Sequence, residues 1–312
     1  MSKKLLKLKP AIKNYLWGGN RLKVEFNKYT DEDIVAETWE LSCHPEGSAI
    51  VSNGDFAGKS LDEYIKIKGK RILGTNCEKY DEFPILVKFI DAKKNLSIQV
   101  HPNDEYALKN ENQYGKTEMW YVIDAKEGAF LYYGLNKDVT DKELKEHIEK
   151  NTLLEILNKV FVKKGDVFFI EAGTIHAIGE GILMAEIQQS SNVTYRVYDY
   201  DRKDKNGILR ELHLAKSIDV INKKKINNKH NFGNHLVKCE YFQVDKHEIN
   251  VEYIGYANYS SFHSLLFIEG EGKIRLDNSE ELFSKGDSIF IEAGAGKYEI
   301  YGNCEVLLIQ VP

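Results

Sequence analysis

A chain of 312 residues, 42% hydrophobic and 29% charged, has the length and apolar content to bury a core unaided, which excludes a disordered chain and a disulfide-stapled miniprotein. Its 43 basic and 48 acidic residues leave a formal net charge of -5, without the basic excess of a nucleic-acid binder, so an anionic ligand has to be met by local positive charge. Cys43, Cys77, Cys239 and Cys304 form no Cys-x-x-Cys pair, and neither a signal peptide nor an apolar run near the ~20 residues that span a bilayer is visible; the reading is reduced thiols in a cytoplasmic protein without membrane contact.

In chain order, turn signals at Gly18-Gly19 and Pro45-Glu46-Gly47 separate β-rich runs around Thr38 to Ser42 and Ser48 to Ser52, read as strands joined by loops. Ser60-Leu-Asp-Glu63 is a capping-box pattern, and Leu61, Tyr64 and Ile65 follow at helical spacing, predicting a short helix to about Leu73. Phe83 to Asp91 reads as a strand. In the next stretch, Leu96 to Pro102, alternation sends Leu96, Ile98 and Val100 to one face and Ser97, Gln99 and His101 to the other. One face can bury; the uncharged polar face suits half of a metal site.

Lys116 to Asp124 alternates again, with Glu118, Trp120 and Val122 on one face, and Ala129 to Tyr133 returns after a turn near Gly128. Thr140-x-x-Glu143 and Thr152-x-x-Glu155 then read as successive capping boxes, with Leu144, Ile148, Leu153, Ile156 and Leu157 on apolar helix faces. Phe161 to Tyr200 resumes as strands. Glu211 to Ile226 reads as a helix whose Lys223-Lys224-Lys225 end is solvated and favoured by the helix dipole.

An internal repeat organises the chain: Gly165 to His176 recurs as Gly286 to Lys297 with seven of twelve positions identical. Upstream, Glu118 to Gly128 can be laid on Phe262 to Gly272, each apolar run ending at a glycine turn. The first copy is longer by roughly the helical stretch and is therefore a β module with an insertion. On this overlay Phe262 stands at Glu118's place and Lys297 at His176's, so the second copy lacks the polar site.

Gln99, His101, Glu118 and His176 supply two imidazoles, one carboxylate and one amide oxygen, a set that suits a borderline dication such as Zn²⁺, with positions left for water or substrate. One carboxylate against a dication leaves net positive charge, so the site can act as a Lewis acid. Lys116 shares a strand face with Glu118, and Arg196 one with Thr194 and Tyr198. Each is either a cation for an anionic ligand or the partner of a nearby carboxylate. Glu186, on one face with Gln188, is either a general base or Arg196's structural partner.

The chain resembles the mannose-6-phosphate isomerases of the compact bacterial kind. The resemblance rests on Pro10 to Gly19, Ala36-Glu-Thr-Trp-Glu-Leu-Ser42, Ser97-Ile-Gln-Val-His-Pro-Asn103, Lys116-Thr-Glu-Met-Trp-Tyr-Val122, Ala172-Gly-Thr-Ile-His-Ala177 and Gln188 to Asp199. It implies a mainly β fold of two cupin modules, jelly-roll barrels, with a short helical insertion in the first. Residues 1–235 would form the catalytic metal-binding cupin with the insertion near 138–160, and residues 236–312 the degenerate second cupin. It further implies one Zn²⁺ per chain held by Gln99, His101, Glu118 and His176, with Arg196 and Lys116 serving the catalytic centre, Glu186 a candidate for proton transfer and Ser97 near the sugar phosphate. The expected reaction interconverts mannose 6-phosphate and fructose 6-phosphate through a cis-enediol, in a monomer or weak homodimer. Two departures occur: Thr117 and Glu171 stand where the family usually has prolines that shape turns. Two other functions fit the same fold: a non-haem iron oxygenase, which also uses two histidines and a carboxylate, and a non-catalytic sugar-phosphate-binding cupin.

Overall fold

The computed structural model describes residues 4–203, 207–227 and 229–312. The fold is mainly antiparallel β, and no helix among the described residues is long and apolar enough to cross a membrane. The chain packs as two compact units built from non-consecutive stretches, one from residues up to Asn14 with Asn20–Phe89 and Asn231–Pro312, the other from Tyr15–Gly19 and Ile90–His230.

The second of these units carries the polar cluster. One of its sheets has five strands in the order Tyr195–Tyr198, Ile98–Val100, His176–Ile178, Phe130–Leu135 and Leu157–Phe161. Ile98, Val100 and Ala177 point to the face that packs under Leu144, Leu153 and Ile221, forming an apolar core. The opposite face carries a cross-strand row: Arg196 lies opposite Gln99, Gln99 opposite His176, and His176 opposite Tyr133. Residues directly opposite in a sheet share a face, so the period-2 pattern puts burial on one side and polar groups on the other. A second group of strands pairs in the order Val167–Ile170, Glu118–Ala125 and Ile182–Gln189. Tyr133 connects the two groups by donating its hydroxyl hydrogen to the Phe169 carbonyl at 2.7 Å.

The helical insertion forms, with one correction. Thr140 and Glu143 make a reciprocal capping box on the Asp141–Glu149 helix. Thr152 caps nothing: Leu153–Glu155 is a single 3₁₀ turn without a side-chain cap. The Thr152 hydroxyl is instead engaged by His147 Nδ1 at 2.8 Å, and Leu157, expected on a helix, opens a strand. The expected helix over 211–226 is also shorter, Leu214–Val220. Asn222 leaves it to donate its backbone N–H to the Gly173 carbonyl, and Lys223 and Lys224 pair with Asp141 and Asp138, each at 3.0 Å. Those lysines thus answer acidic side chains of the insertion, not a helix dipole. A helix absent from the sequence reading, Asp104–Glu111, starts directly after the His101-Pro102 pair, with Asn103 capping the Tyr106 N–H.

The first unit contains a nine-stranded antiparallel sheet that includes Leu5–Lys9, His263–Leu276, Ser288–Ile291 and Gly296–Gln310. Its core is packed by Leu265, Phe267, Ile289, Tyr298 and Ile300 among others. The Ser60 capping box forms, but the helix ends at Lys68 where Gly69 turns at φ +83, and Lys70–Leu73 continues as a 3₁₀ turn.

The repeat holds in three dimensions, copy by copy. Gly165 and Gly286 both open their strands with positive φ, 89° and 94°. The upstream overlay is off by one residue. Ile170 pairs with Glu118 in the first copy, and its repeat equivalent Ile291 pairs with His263 in the second. Strand pairing therefore puts His263, not Phe262, at Glu118's position, and a one-residue slip exchanges faces. Gly272, expected as a turn, lies inside the His263–Leu276 strand.

Candidate metal centre

His101 leaves the end of the Ile98–Val100 strand, His176 opens the His176–Ile178 strand, and Glu118 opens Glu118–Ala125. Their ligand atoms lie within 4.8 Å of one another, and all three residues are buried. Each imidazole is held by its other nitrogen: His101 Nδ1 lies 2.8 Å from the Val193 carbonyl oxygen and His176 Nδ1 2.8 Å from that of Thr174. A carbonyl only accepts, so both Nδ1 atoms carry the hydrogen, and in the neutral rings both Nε2 atoms present lone pairs. This is how protein partners commonly orient metal-bound histidines.

The His176 lone pair faces a further acceptor. His176 Nε2 is 3.3 Å from Glu118 Oε1 and has no hydrogen-bond partner among the described residues. Burial, reinforced by Lys116, pushes the His176 imidazole down to about 4 despite its bond to Thr174, which favours the neutral ring with a bare Nε2. An imidazole lone pair buried against a carboxylate is unfavourable unless a cation lies between them. The donor set of two imidazole nitrogens and one carboxylate fits a divalent ion of borderline softness.

Lys116 supplies the positive charge inside the cluster. Its ammonium lies 2.8 Å from Glu118 Oε2, 3.2 Å from His101 Nε2 and 3.8 Å from Glu186 Oε1. Glu186 is buried and accepts a hydrogen bond from Trp120 Nε1 at 2.8 Å. Trp120 also packs its ring edge-on to His176, with centroids 5.3 Å apart. Five of the eight candidate residues, His101, Glu118, His176, Lys116 and Glu186, are thus joined directly.

Gln99 and Arg196 reach the cluster through sheet register, on one face with His176. The Arg196 guanidinium donates through Nη1 to the Glu211 carbonyl at 2.8 Å, and its Nε is buried without a partner among the described residues. Burial first, and then Arg210, lowers its pKa. The Glu186 carboxylate is met by Trp120 and Lys116. Ser97 is buried just ahead of the strand. Sequence reasoning missed the Val193 and Thr174 carbonyls, whose role carries no side-chain signature, and the Trp120 bond, for which the shared face with Glu118 was the available signal.

The matches to known proteins agree with this arrangement. The family model for the catalytic domain of type I phosphomannose isomerase matches residues 5–131, and that for the mannose-6-phosphate isomerase cupin domain matches residues 233–311. Mannose-6-phosphate isomerase ManA of Bacillus subtilis is 39% identical over 318 residues, covering 99% of each chain. The chain belongs to the type I phosphomannose isomerase family. The mannose-6-phosphate isomerase of Streptococcus mutans is 36% identical over 96% of each chain. A crystal structure of the Bacillus subtilis mannose 6-phosphate isomerase superposes with a TM-score of 0.91 at 34% identity, covering 98% of this chain and 99% of that one. The phosphomannose isomerase family thus accounts for the β architecture and for its cupin modules.

Proposed function

We propose that the chain is a zinc-dependent aldose-ketose isomerase that interconverts mannose 6-phosphate and fructose 6-phosphate by proton transfer through a cis-enediol. Family membership supplies the reaction class. The single observation that carries the metal dependence is the buried His176 Nε2, facing Glu118 at 3.3 Å without a hydrogen-bond partner among the described residues. His101, Glu118 and His176 would hold the ion, with Gln99, in register beside His176, as the fourth ligand. A divalent ion held there supplies a Lewis acid for the substrate oxygen that gains negative charge as C–H ionises.

The chain's own groups do the rest. Glu186, in reach of the Lys116 ammonium and held by the Trp120 N–H, takes the proton from one carbon and returns it to the next on the same face. Lys116 and Arg196 stabilise the developing oxyanion or hold the phosphate, and Ser97 lies by the phosphate. In functional terms residues 1–235 are the catalytic part and 236–312 the copy without a metal site, within a cytoplasmic monomer or weak homodimer.

A coupled isomerase assay on purified full-length protein tests the reading, run before and after chelation alongside metal analysis. Activity should vanish with the ion and return with Zn²⁺. No isomerisation by the metal-replete chain overturns it, and oxygen uptake in its place would favour the non-haem iron alternative.

A further inference from the structure

Gln188 is fully buried on the Ile182–Gln189 strand, directly opposite Glu118 in register and therefore on the same sheet face. Both ends of its carboxamide are informative. Nε2 donates to two backbone carbonyls, Gln189 O at 2.7 Å and Ser191 O at 2.6 Å, so the amide cannot rotate without breaking both bonds. Oε1 is buried and has no donor among the described residues. A buried acceptor without a donor is costly and uncommon in a settled core.

The two carbonyls belong to a tight turn, closed further by the Ser191 N–H on Gln189 O at 2.7 Å. The Ser191 hydroxyl accepts from the Val193 N–H at 3.3 Å and donates to Tyr114 O at 2.8 Å. Val193 then turns its own carbonyl to His101 Nδ1 at 2.8 Å. The chain of contacts runs from the Gln188 amide through Ser191 and Val193 to the ring that must present Nε2 to the ion. Nothing in this path reacts; its effect is to set the His101 tautomer and ring angle.

We infer that Gln188 is a positioning residue of the metal centre: its amide locks the 189–193 turn that orients His101, while its Oε1, on Glu118's face, would accept a hydrogen bond at the site. This rests on His101, Glu118 and His176 binding a divalent ion, but not on the reaction catalysed there. Partners that orient metal ligands typically contribute 10–100-fold to ion affinity.

The test compares the full-length chain with Gln188→Met, close in shape but without either polar end. Three quantities are measured: Zn²⁺ affinity by competition with a chelator, the visible absorption of the Co²⁺-loaded protein, and the thermal midpoint of the ion-free protein. The expected result is ion binding ~10–100-fold weaker and a shifted cobalt spectrum, with the ion-free midpoint lowered only by what two lost buried hydrogen bonds account for. Unchanged affinity and spectrum overturn the inference, as does a loss of affinity matched by a collapse of the ion-free midpoint. Should Gln188→Met fail to fold, Gln188→Glu carries the test: it keeps the shape but sets a carboxylate against the two carbonyls, so an unchanged cobalt spectrum overturns the inference there too. If the parent chain binds neither Zn²⁺ nor Co²⁺, the metal-centre reading itself has failed, a result distinct from parent and variant binding alike.

Discussion

The Lys116 ammonium lies 2.8 Å from Glu118 Oε2, inside the acceptor cluster that also contains both histidine Nε2 atoms. An ammonium and a divalent ion compete for the same electron pairs, and at ~4 Å two unit charges repel by up to ~4 kcal/mol at an effective dielectric of ~20. Lys116 therefore holds the cluster together without an ion and weakens the ion's hold once it arrives.

Lys116→Met should consequently bind Zn²⁺ about tenfold more tightly or better, while turnover falls by ~100-fold or more because an oxyanion-stabilising donor is gone. Equilibrium dialysis and the coupled assay separate the two effects. Weaker ion binding in the variant would mean that Lys116 supports the ligands more than it competes with the ion.

Gln99 and Arg196 are neighbours in one cross-strand row but differ in expected role. Gln99→Ala should loosen Zn²⁺ by roughly 10–100-fold, as loss of a weak ligand or of its hydrogen bonding would. Arg196→Ala should leave zinc content intact and cost turnover, since its guanidinium is anchored on the Glu211 carbonyl. Metal analysis of both variants after identical dialysis decides it; equal zinc loss in the two would erase the distinction.

Glu186→Gln isolates the candidate base. The amide oxygen can still accept from Trp120 Nε1, so packing against His176 is kept, while the proton-accepting charge is lost. Turnover should drop by ~10²–10⁴-fold, far more than the modest weakening of ion binding that follows from losing a carboxylate charge beside the cluster. Wild-type turnover would leave Glu186 only its structural bonds to Trp120 and Lys116.

The ligand trio was legible in the sequence because each residue sits on a period-2 pattern bounded by turns, and such patterns fix faces directly. The helix over 61–68 and the Thr140 box were legible for a similar reason: a cap and its apolar face are local. What escaped is set by tertiary partners. Thr152 has the same spacing to Glu155 as Thr140 to Glu143, yet its hydroxyl is engaged by His147. Lys223 and Lys224 read as a helix end because Asp138 and Asp141, their partners, lie some eighty residues away in the chain. The overlay of the second copy slipped by one because apolar runs align in either register; only pairing with Ile291 separates Phe262 from His263.

That register gives the last prediction. His263, at Glu118's position in the second copy, is buried and bonded through Nδ1 to the Tyr298 hydroxyl at 3.0 Å. Burial pushes its pKa from 6.5 down to about 4, against a raising hydrogen bond to the Gln310 side chain. The folded state therefore binds a proton less readily than the unfolded chain. Its contribution is fully present above the unfolded value of 6.5, fades as pH falls, and is gone below about 4. His176 titrates in the same sense in the ion-free protein, so the comparison has to be made within one background. In ion-free protein, His263→Gln should flatten the acid side of a stability-versus-pH curve by about 3 kcal/mol between neutral pH and pH 4. Urea denaturation of parent and variant at half-unit pH steps measures it, and parallel curves would mean that His263 titrates alike in the folded and unfolded states.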